Sequence, residues 1–159
     1  MMNSRHGVMA RLAMIALTAS LYSQAALADN DGGCKNAKGS LSVVNNGNGT
    51  TSGAITKGGR LNGTTQAIFT SALSPTPDAS TFSYTDNFSV SSNDGVLKTS
   101  NVGLFDVGVG AFTEIARIDP STSTGRFAGA TGVLYINGTT TDGGATFQAE
   151  IRGDVCLVK

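Results

Sequence analysis

The sequence contains no tryptophan and a single histidine, His6. Histidine is the commonest general base near neutral pH and a frequent metal ligand, and we expect His6 to be removed with an export signal. The rest of the chain therefore excludes a Ser-His-Asp triad and any metal site that needs a histidine ligand. It also lacks a phosphate-binding glycine-rich loop followed by a helix, and its acidic residues are too scattered for a calcium loop. We predict neither a metal nor a cofactor.

Charged residues are few, at 14% of the chain, with 11 basic and 11 acidic side chains. Two of the basic residues, Arg5 and Arg11, precede the expected cleavage point, so nine basic and 11 acidic residues remain, a net charge of −2. Nucleic acids and anionic membranes both require a basic protein face. The composition therefore argues against nucleic acid and membrane as partners of the mature protein.

Residues 1–28 have the three parts of a secretory signal peptide. A basic beginning is followed by a mostly apolar run at 12–21 and by Ala26-Leu27-Ala28, a small-x-small cleavage pattern. The alternative is an uncleaved membrane anchor, but the run is shorter than the about 20 residues that span a bilayer. We expect an exported protein, periplasmic or secreted, with one mature domain at 29–159.

The two cysteines, Cys34 and Cys156, lie near opposite ends of the mature chain. In an oxidising compartment they predict a disulfide, with two free thiols or an intermolecular bridge as alternatives. Closing so long a loop would stabilise the fold by up to about 4 to 5 kcal/mol in the chain-entropy model. The bond would also require the two termini of the domain to lie side by side.

Short runs of alternating apolar and polar residues, separated by Gly, Asn and Asp, predict strands and turns rather than helices. The clearest run is 81–90, which is followed by the hairpin turn Asn93-Asp94-Gly95. We predict strands at 39–44, 51–57, 63–73, 81–90, 96–107, 111–118, 132–140 and 145–155. Strands joined by tight turns, with both ends tied together, indicate an all-β closed antiparallel barrel of about eight strands. A β-sandwich is the alternative.

Residues 125–132 read Gly-Arg-Phe-Ala-Gly-Ala-Thr-Gly, a glycine-rich motif with one aromatic residue. With the segments 103–106 and 110–114 and the final hairpin, this motif resembles the closing part of the allene oxide cyclase-like barrel proteins, which are related in fold to the dirigent proteins. The resemblance covers roughly residues 81–159. It implies an eight-stranded antiparallel barrel, often oligomeric, whose lumen in the plant enzymes binds and cyclises an unsaturated fatty-acid epoxide.

The signature positions of this motif are Gly125, Phe127, Gly129, Ala130 and Gly132. We interpret them as a folding element rather than a catalytic one. The glycines permit a tight turn and close approach of the backbone, and the phenylalanine is suited to anchor the core.

Two carboxylates interrupt otherwise apolar strand faces. Asp86 shares a face with Tyr84, and Glu114 shares one with Phe112, because successive strand residues point to opposite sides. If these faces point inward, desolvation would raise the carboxyl pKa values and suit the groups to general acid–base chemistry. The candidate catalytic residues are therefore Asp86, Glu114 and Tyr84. A β-bulge that reverses the alternation, or pairing with Arg117 or backbone groups at a rim, is the alternative.

Three functions are compatible with such a barrel. The first is binding of a small apolar ligand in the lumen. The second is a cofactor-free cyclase or isomerase that uses the lumen carboxylates. The third is a structural periplasmic or surface protein whose interior is filled by its own phenylalanines, at Phe69, Phe82, Phe88, Phe105, Phe112 and Phe147.

Overall fold

The residues that the structure describes form eight strands and two short 3₁₀ turns. The computed structural model describes residues 33–73 and 76–159, so the predicted signal peptide lies outside the described residues. The strands are β1 (Cys34–Asn45), β2 (Thr50–Thr56), β3 (Gly63–Leu73), β4 (Thr81–Ser92), β5 (Gly95–Asp106), β6 (Ala111–Ile118), β7 (Thr131–Thr139) and β8 (Thr146–Cys156). The 3₁₀ turns are Gly59–Leu61 and Gly125–Phe127. Within the described ranges no helix has the length and apolar character needed to cross a membrane.

Each strand pairs antiparallel with the next, and β1 pairs with β8 to close the barrel. The predicted all-β closed antiparallel barrel is confirmed, and the β-sandwich alternative is wrong. Closure gives each described strand a hydrogen-bonded neighbour on both sides, so none of these strands forms the edge of the sheet. The turn predicted at Asn93-Asp94-Gly95 connects β4 to β5.

The first strand is longer than its sequence pattern indicated. It begins at Cys34 rather than at residue 39, and it pairs with β8 from Cys34 opposite Cys156 to Val44 opposite Thr146. Its first part is largely polar and exposed, with Ala37 buried. Pairing with the whole of β8 therefore extends β1 beyond the residues whose apolar pattern predicts a strand.

A disulfide joins Cys34 to Cys156 across the seam between β1 and β8. The two Cα atoms are 3.8 Å apart, and the described residues include no free cysteine. The predicted intramolecular bridge is confirmed, and the alternatives of free thiols or an intermolecular bridge are wrong. The bond fixes the two ends of the barrel sheet in adjacent positions.

One end of the barrel, which we call the closed end, carries the disulfide and the connections β2–β3, β4–β5 and β6–β7. The side chains of Leu61 and Phe127, one from each 3₁₀ turn, are 3% and 1% exposed there. They belong to one apolar cluster with the inward residues of the surrounding strands, including Ile55, Val90, Leu97, Ile118 and Leu134. This half of the lumen is filled.

The glycine-rich motif at 125–132 forms the loop that plugs this end of the barrel. Gly125 has a φ of +61°, and a Cβ there would lie 2.5 Å from the carbonyl oxygen of Asp94 in the β4–β5 turn. The amide of Arg126 donates to that same carbonyl at 2.8 Å. Backbone contact of this kind requires glycine, and it places the Phe127 ring over the end of the core. Ala130, at the end of the same loop, is fully buried.

Candidate functional site

The opposite end of the barrel, the open end, carries the turns 46–49, 107–110 and 140–145 and the described part of the β3–β4 connection, residues 76–80. It contains a cavity of about 90 Å³. Its walls are mainly apolar and come from strands around the whole barrel. The lining residues are Leu41, Val43, Thr51, Ala67, Phe69, Phe82, Tyr84, Phe88, Phe112, Glu114, Ile136 and Phe147. Of the six phenylalanines named for the filled-barrel alternative, all except Phe105 line this cavity.

Four of the rings form a continuous edge-to-face series at the open end, which we call the aromatic rim. The centroids of Phe82 and Phe105 are 5.5 Å apart, those of Phe105 and Phe147 are 5.8 Å apart, and those of Phe147 and Phe112 are 5.5 Å apart. Such edge-to-face pairs stabilise by about 0.5–1.5 kcal/mol beyond the area they bury. The rim thus gives the mouth of the cavity a defined aromatic wall.

Two polar groups of the cavity, Tyr84 and Glu114, are joined across an intervening strand. Tyr84 on β4 lies opposite Gly103 on β5, which lies opposite Glu114 on β6. The tyrosine hydroxyl donates to Glu114 Oε1 at 2.6 Å. A Cβ at position 103 would lie 2.3 Å from Tyr84 Cζ, so the ring can reach across β5 only because that residue is glycine.

Two further buried residues, Asn101 and Thr99, extend this contact into a network. Asn101 Nδ2 donates to Glu114 Oε2 at 3.1 Å, and Thr99 Oγ1 donates to Asn101 Oδ1 at 2.7 Å. Sequence reasoning missed Thr99, Asn101 and Gly103. The signal was present, since all three share the inward alternation of Leu97 on the strand at 96–107. We call Tyr84, Thr99, Asn101 and Glu114 the polar ladder.

Asp86 lies beside the polar ladder and is 2% exposed. It faces Asn101 on β5 and Phe69 on β3, yet within the described part of the chain neither carboxyl oxygen has a hydrogen-bond partner. Burial, reinforced by the negative charge of Glu114, raises the pKa of Asp86 to about 8. Asp86 is therefore mainly protonated at pH 7.

Glu114 is half-buried and differs from Asp86 in its partners. Burial raises the pKa of Glu114, while the hydrogen bonds from Tyr84 and Asn101 act in the opposite direction. Hydrogen-bond donors favour the charged form of a carboxylate. Of the two carboxyl groups, Glu114 has these donors and Asp86 has none, so the negative charge resides on Glu114 and the proton on Asp86. Burial and the charge of Glu114 also raise the pKa of the Tyr84 phenol, which stays protonated.

The structure thus brings Asp86, Glu114 and Tyr84 together inside the barrel, as the strand alternation predicts. The irregular pairing near them lies on β3, between Phe69 and Ser71, and leaves the alternation of β4 intact. Pairing with Arg117 is wrong, because that side chain is exposed on the outer face. The catalytic role of the three residues stays a prediction. In the described ranges no group of three or more His, Cys, Asp or Glu side chains could hold a metal ion.

Fold and site together define a closed eight-stranded barrel with an apolar cavity and an internal acidic network. Comparison of the chain with protein-family models, curated proteins and solved structures gives no match.

Proposed function

We propose that this chain is an exported barrel protein that binds a small apolar ligand in the cavity at its open end. The observation that carries the proposal is the cavity itself, apolar on most of its surface and provided with the hydroxyl of Tyr84 and the carboxylate of Glu114. Small-molecule sites typically combine such apolar walls with a few placed polar groups that orient the ligand.

The contrast between the two ends of the barrel supports a binding role. The open end keeps a cavity of about 90 Å³. The closed end of the same barrel shows that this chain fills space where it has side chains to do so, with Phe127 and Leu61 buried there. A ligand in the open half would recover contacts that the protein alone does not make. This contrast disfavours the purely structural, filled barrel.

Two features support an exported protein. The Cys34–Cys156 disulfide suits an oxidising compartment, and the first 28 residues have the pattern of a signal peptide. We also propose a divergent relation to the allene oxide cyclase-like barrels, since the eight-stranded antiparallel barrel is the fold that the resemblance at 81–159 implies.

The binding proposal is tested by titrating the oxidised protein with 1-hexanol, an apolar probe with one hydroxyl, in a calorimeter. We expect saturable binding with one site per chain. Ala67→Leu, which places a larger side chain on the cavity wall, should weaken it at least about tenfold. Ala54→Leu is the matched control, because Ala54 belongs to β2 but lies outside the cavity. Absence of saturable binding to the native protein, or equal weakening by both variants, contradicts the proposal.

A second candidate function, a cofactor-free cyclase or isomerase, is favoured by the unequal carboxyl groups. Asp86 holds a proton at neutral pH while Glu114 carries a charge, so an acid and a base share one lumen. With a substrate in hand, Asp86→Asn and Glu114→Gln should each abolish turnover while urea unfolding shows an intact fold. Turnover that survives both substitutions excludes this candidate.

A further inference from the structure

Among the described residues, no lysine or arginine side chain serves as a counter-ion to the charge inside the barrel. Every lysine and arginine in the described residues is exposed. The ion pairs that the structure shows, Arg126 with Asp94 and Arg152 with Glu150, lie on the outer surface. Glu114 therefore carries its negative charge in a mostly apolar cavity with only the neutral donors Tyr84 and Asn101 beside it.

Glu114 also has capacity for a further donor. A carboxylate can accept about four hydrogen bonds, and the polar ladder supplies one to each oxygen of Glu114. Independently of this, both carboxyl oxygens of Asp86 are buried beside the ladder without a partner in the described ranges. Glu114 thus has room for a further donor inside the barrel. In the described residues, protonated Asp86 has neither an acceptor for its proton nor a donor to its second oxygen.

The aromatic rim suits the apolar part of a ligand, because its phenylalanine rings offer apolar surface to a hydrocarbon chain. A ligand would enter the cavity past Phe82, Phe112 and Phe147. Glu114 lies two residues beyond Phe112 along β6, so its carboxylate is about 7 Å deeper in the barrel. A molecule with an apolar chain of about this length and a positively charged end would match both parts of the cavity.

We propose that the ligand of the lumen is an apolar amine, whose ammonium group donates hydrogen bonds to Glu114 while its hydrocarbon part lies between the phenylalanine rings. This inference rests on the proposed binding function and specifies its ligand class. An anionic ligand such as a carboxylate would place like charges together in a poorly solvated site, where repulsion is strong. The site therefore selects its ligand by charge as well as by the size of the ligand's apolar part.

The test compares three probes of one chain length at pH 7: hexylamine, 1-hexanol and hexanoate, which are cationic, neutral and anionic, respectively. Calorimetric titration of the native, oxidised protein gives the three dissociation constants. We expect hexylamine to bind at least about tenfold more tightly than 1-hexanol, the usual scale of one charge-assisted hydrogen bond. Hexanoate should bind most weakly.

Glu114→Gln should remove the preference for the amine and bring hexylamine and 1-hexanol within about twofold of each other. Glu150→Gln is the matched control, because it makes the same change at an exposed residue on the outer face of β8. It should leave the preference unchanged. Thermal unfolding of both variants shows whether each is folded, and the comparison of the three probes on the native protein decides the question even if Glu114→Gln does not fold.

Failure of this inference differs from failure of the binding function. If 1-hexanol binds as tightly as hexylamine, or hexanoate binds best, the lumen binds apolar ligands but the amine proposal is overturned. If the amine preference persists in folded Glu114→Gln, the preference arises elsewhere and the proposal is again overturned. If none of the three probes binds, both the binding function and the ligand class are wrong.

Discussion

In the part of the chain that the structure describes, the buried carboxyl of Asp86 has no hydrogen-bond partner, and its contribution to stability falls as the pH rises. Its pKa is about 8 in the folded protein, against an ordinary value of 3.8. Below both values the group is protonated in either state and has no effect. Between them the folded state binds a proton that the unfolded state lacks, so the free energy of unfolding decreases by about 1.4 kcal/mol per pH unit. Over the three units from pH 4 to pH 7 the loss is about 4 kcal/mol.

Asp86→Asn removes the titrating group while keeping the side-chain shape. The informative quantity is the free energy of unfolding of the variant minus that of the native protein, measured by urea denaturation at each pH from 4 to 8. The constant cost of burying an unpaired amide cancels from the trend. We expect the difference to rise by several kcal/mol from pH 4 to pH 7 and to level off above pH 8, where Asp86 is ionised in both states of the native protein.

Other acidic groups, including Glu114, affect the pH dependence of stability in both the native protein and the Asp86→Asn variant. The difference between the two proteins therefore isolates the contribution of Asp86 to a first approximation. Asp154→Asn is the control, because Asp154 is exposed on β8. Surface substitutions usually change stability by less than about 0.5 kcal/mol. A difference for Asp86→Asn that stays flat across the pH range, or that declines as the pH rises, would refute the argument that burial holds a proton on this residue.

Three further outcomes test the fold and the polar ladder by urea denaturation. Gly103→Ala should destabilise the protein by about 1–3 kcal/mol, because the added methyl group clashes with the Tyr84 ring. This cost should largely vanish in a Tyr84→Ala background, and an unchanged cost there would contradict the proposed contact. Replacing both Cys34 and Cys156 with serine should lower the free energy of unfolding by up to about 4 to 5 kcal/mol, and the native protein should show a similar loss when reduced. Phe127→Ala should cost about 3–5 kcal/mol as a fully buried ring, whereas a loss below about 1 kcal/mol would mean that the closed end is not plugged by this residue.

Much of the barrel could be predicted because its determinants are local. Alternation marks strands such as β3 and β6, for which the sequence and the structure give the same bounds, and two cysteines near the ends of the domain indicate closure. The 3₁₀ turns were missed because three residues are too few to show a helical period. The early start of β1 was missed because it depends on pairing with β8, which the residues of β1 do not encode by themselves.

The candidate site could be predicted only in part, for a related reason. The inward direction of Asp86 and Glu114 follows from each strand's own alternation. The contact of Tyr84 with Glu114 depends on the register of three strands and on a glycine between them. Register is a property of paired strands. Whether the phenylalanines fill the lumen or line a cavity depends on how the strands tilt and stagger around the barrel, which composition does not reveal.

The disulfide places both ends of the barrel sheet on the same side of the molecule. Cys34 and Cys156 both lie at the closed end, where the loop with Phe127 seals the barrel. Any tether, neighbouring domain or solid support joined through either terminus of the barrel therefore holds the molecule by its base. The aromatic rim then faces away from the attachment point, so an anchored molecule presents its cavity to the surrounding medium without obstruction from the anchor.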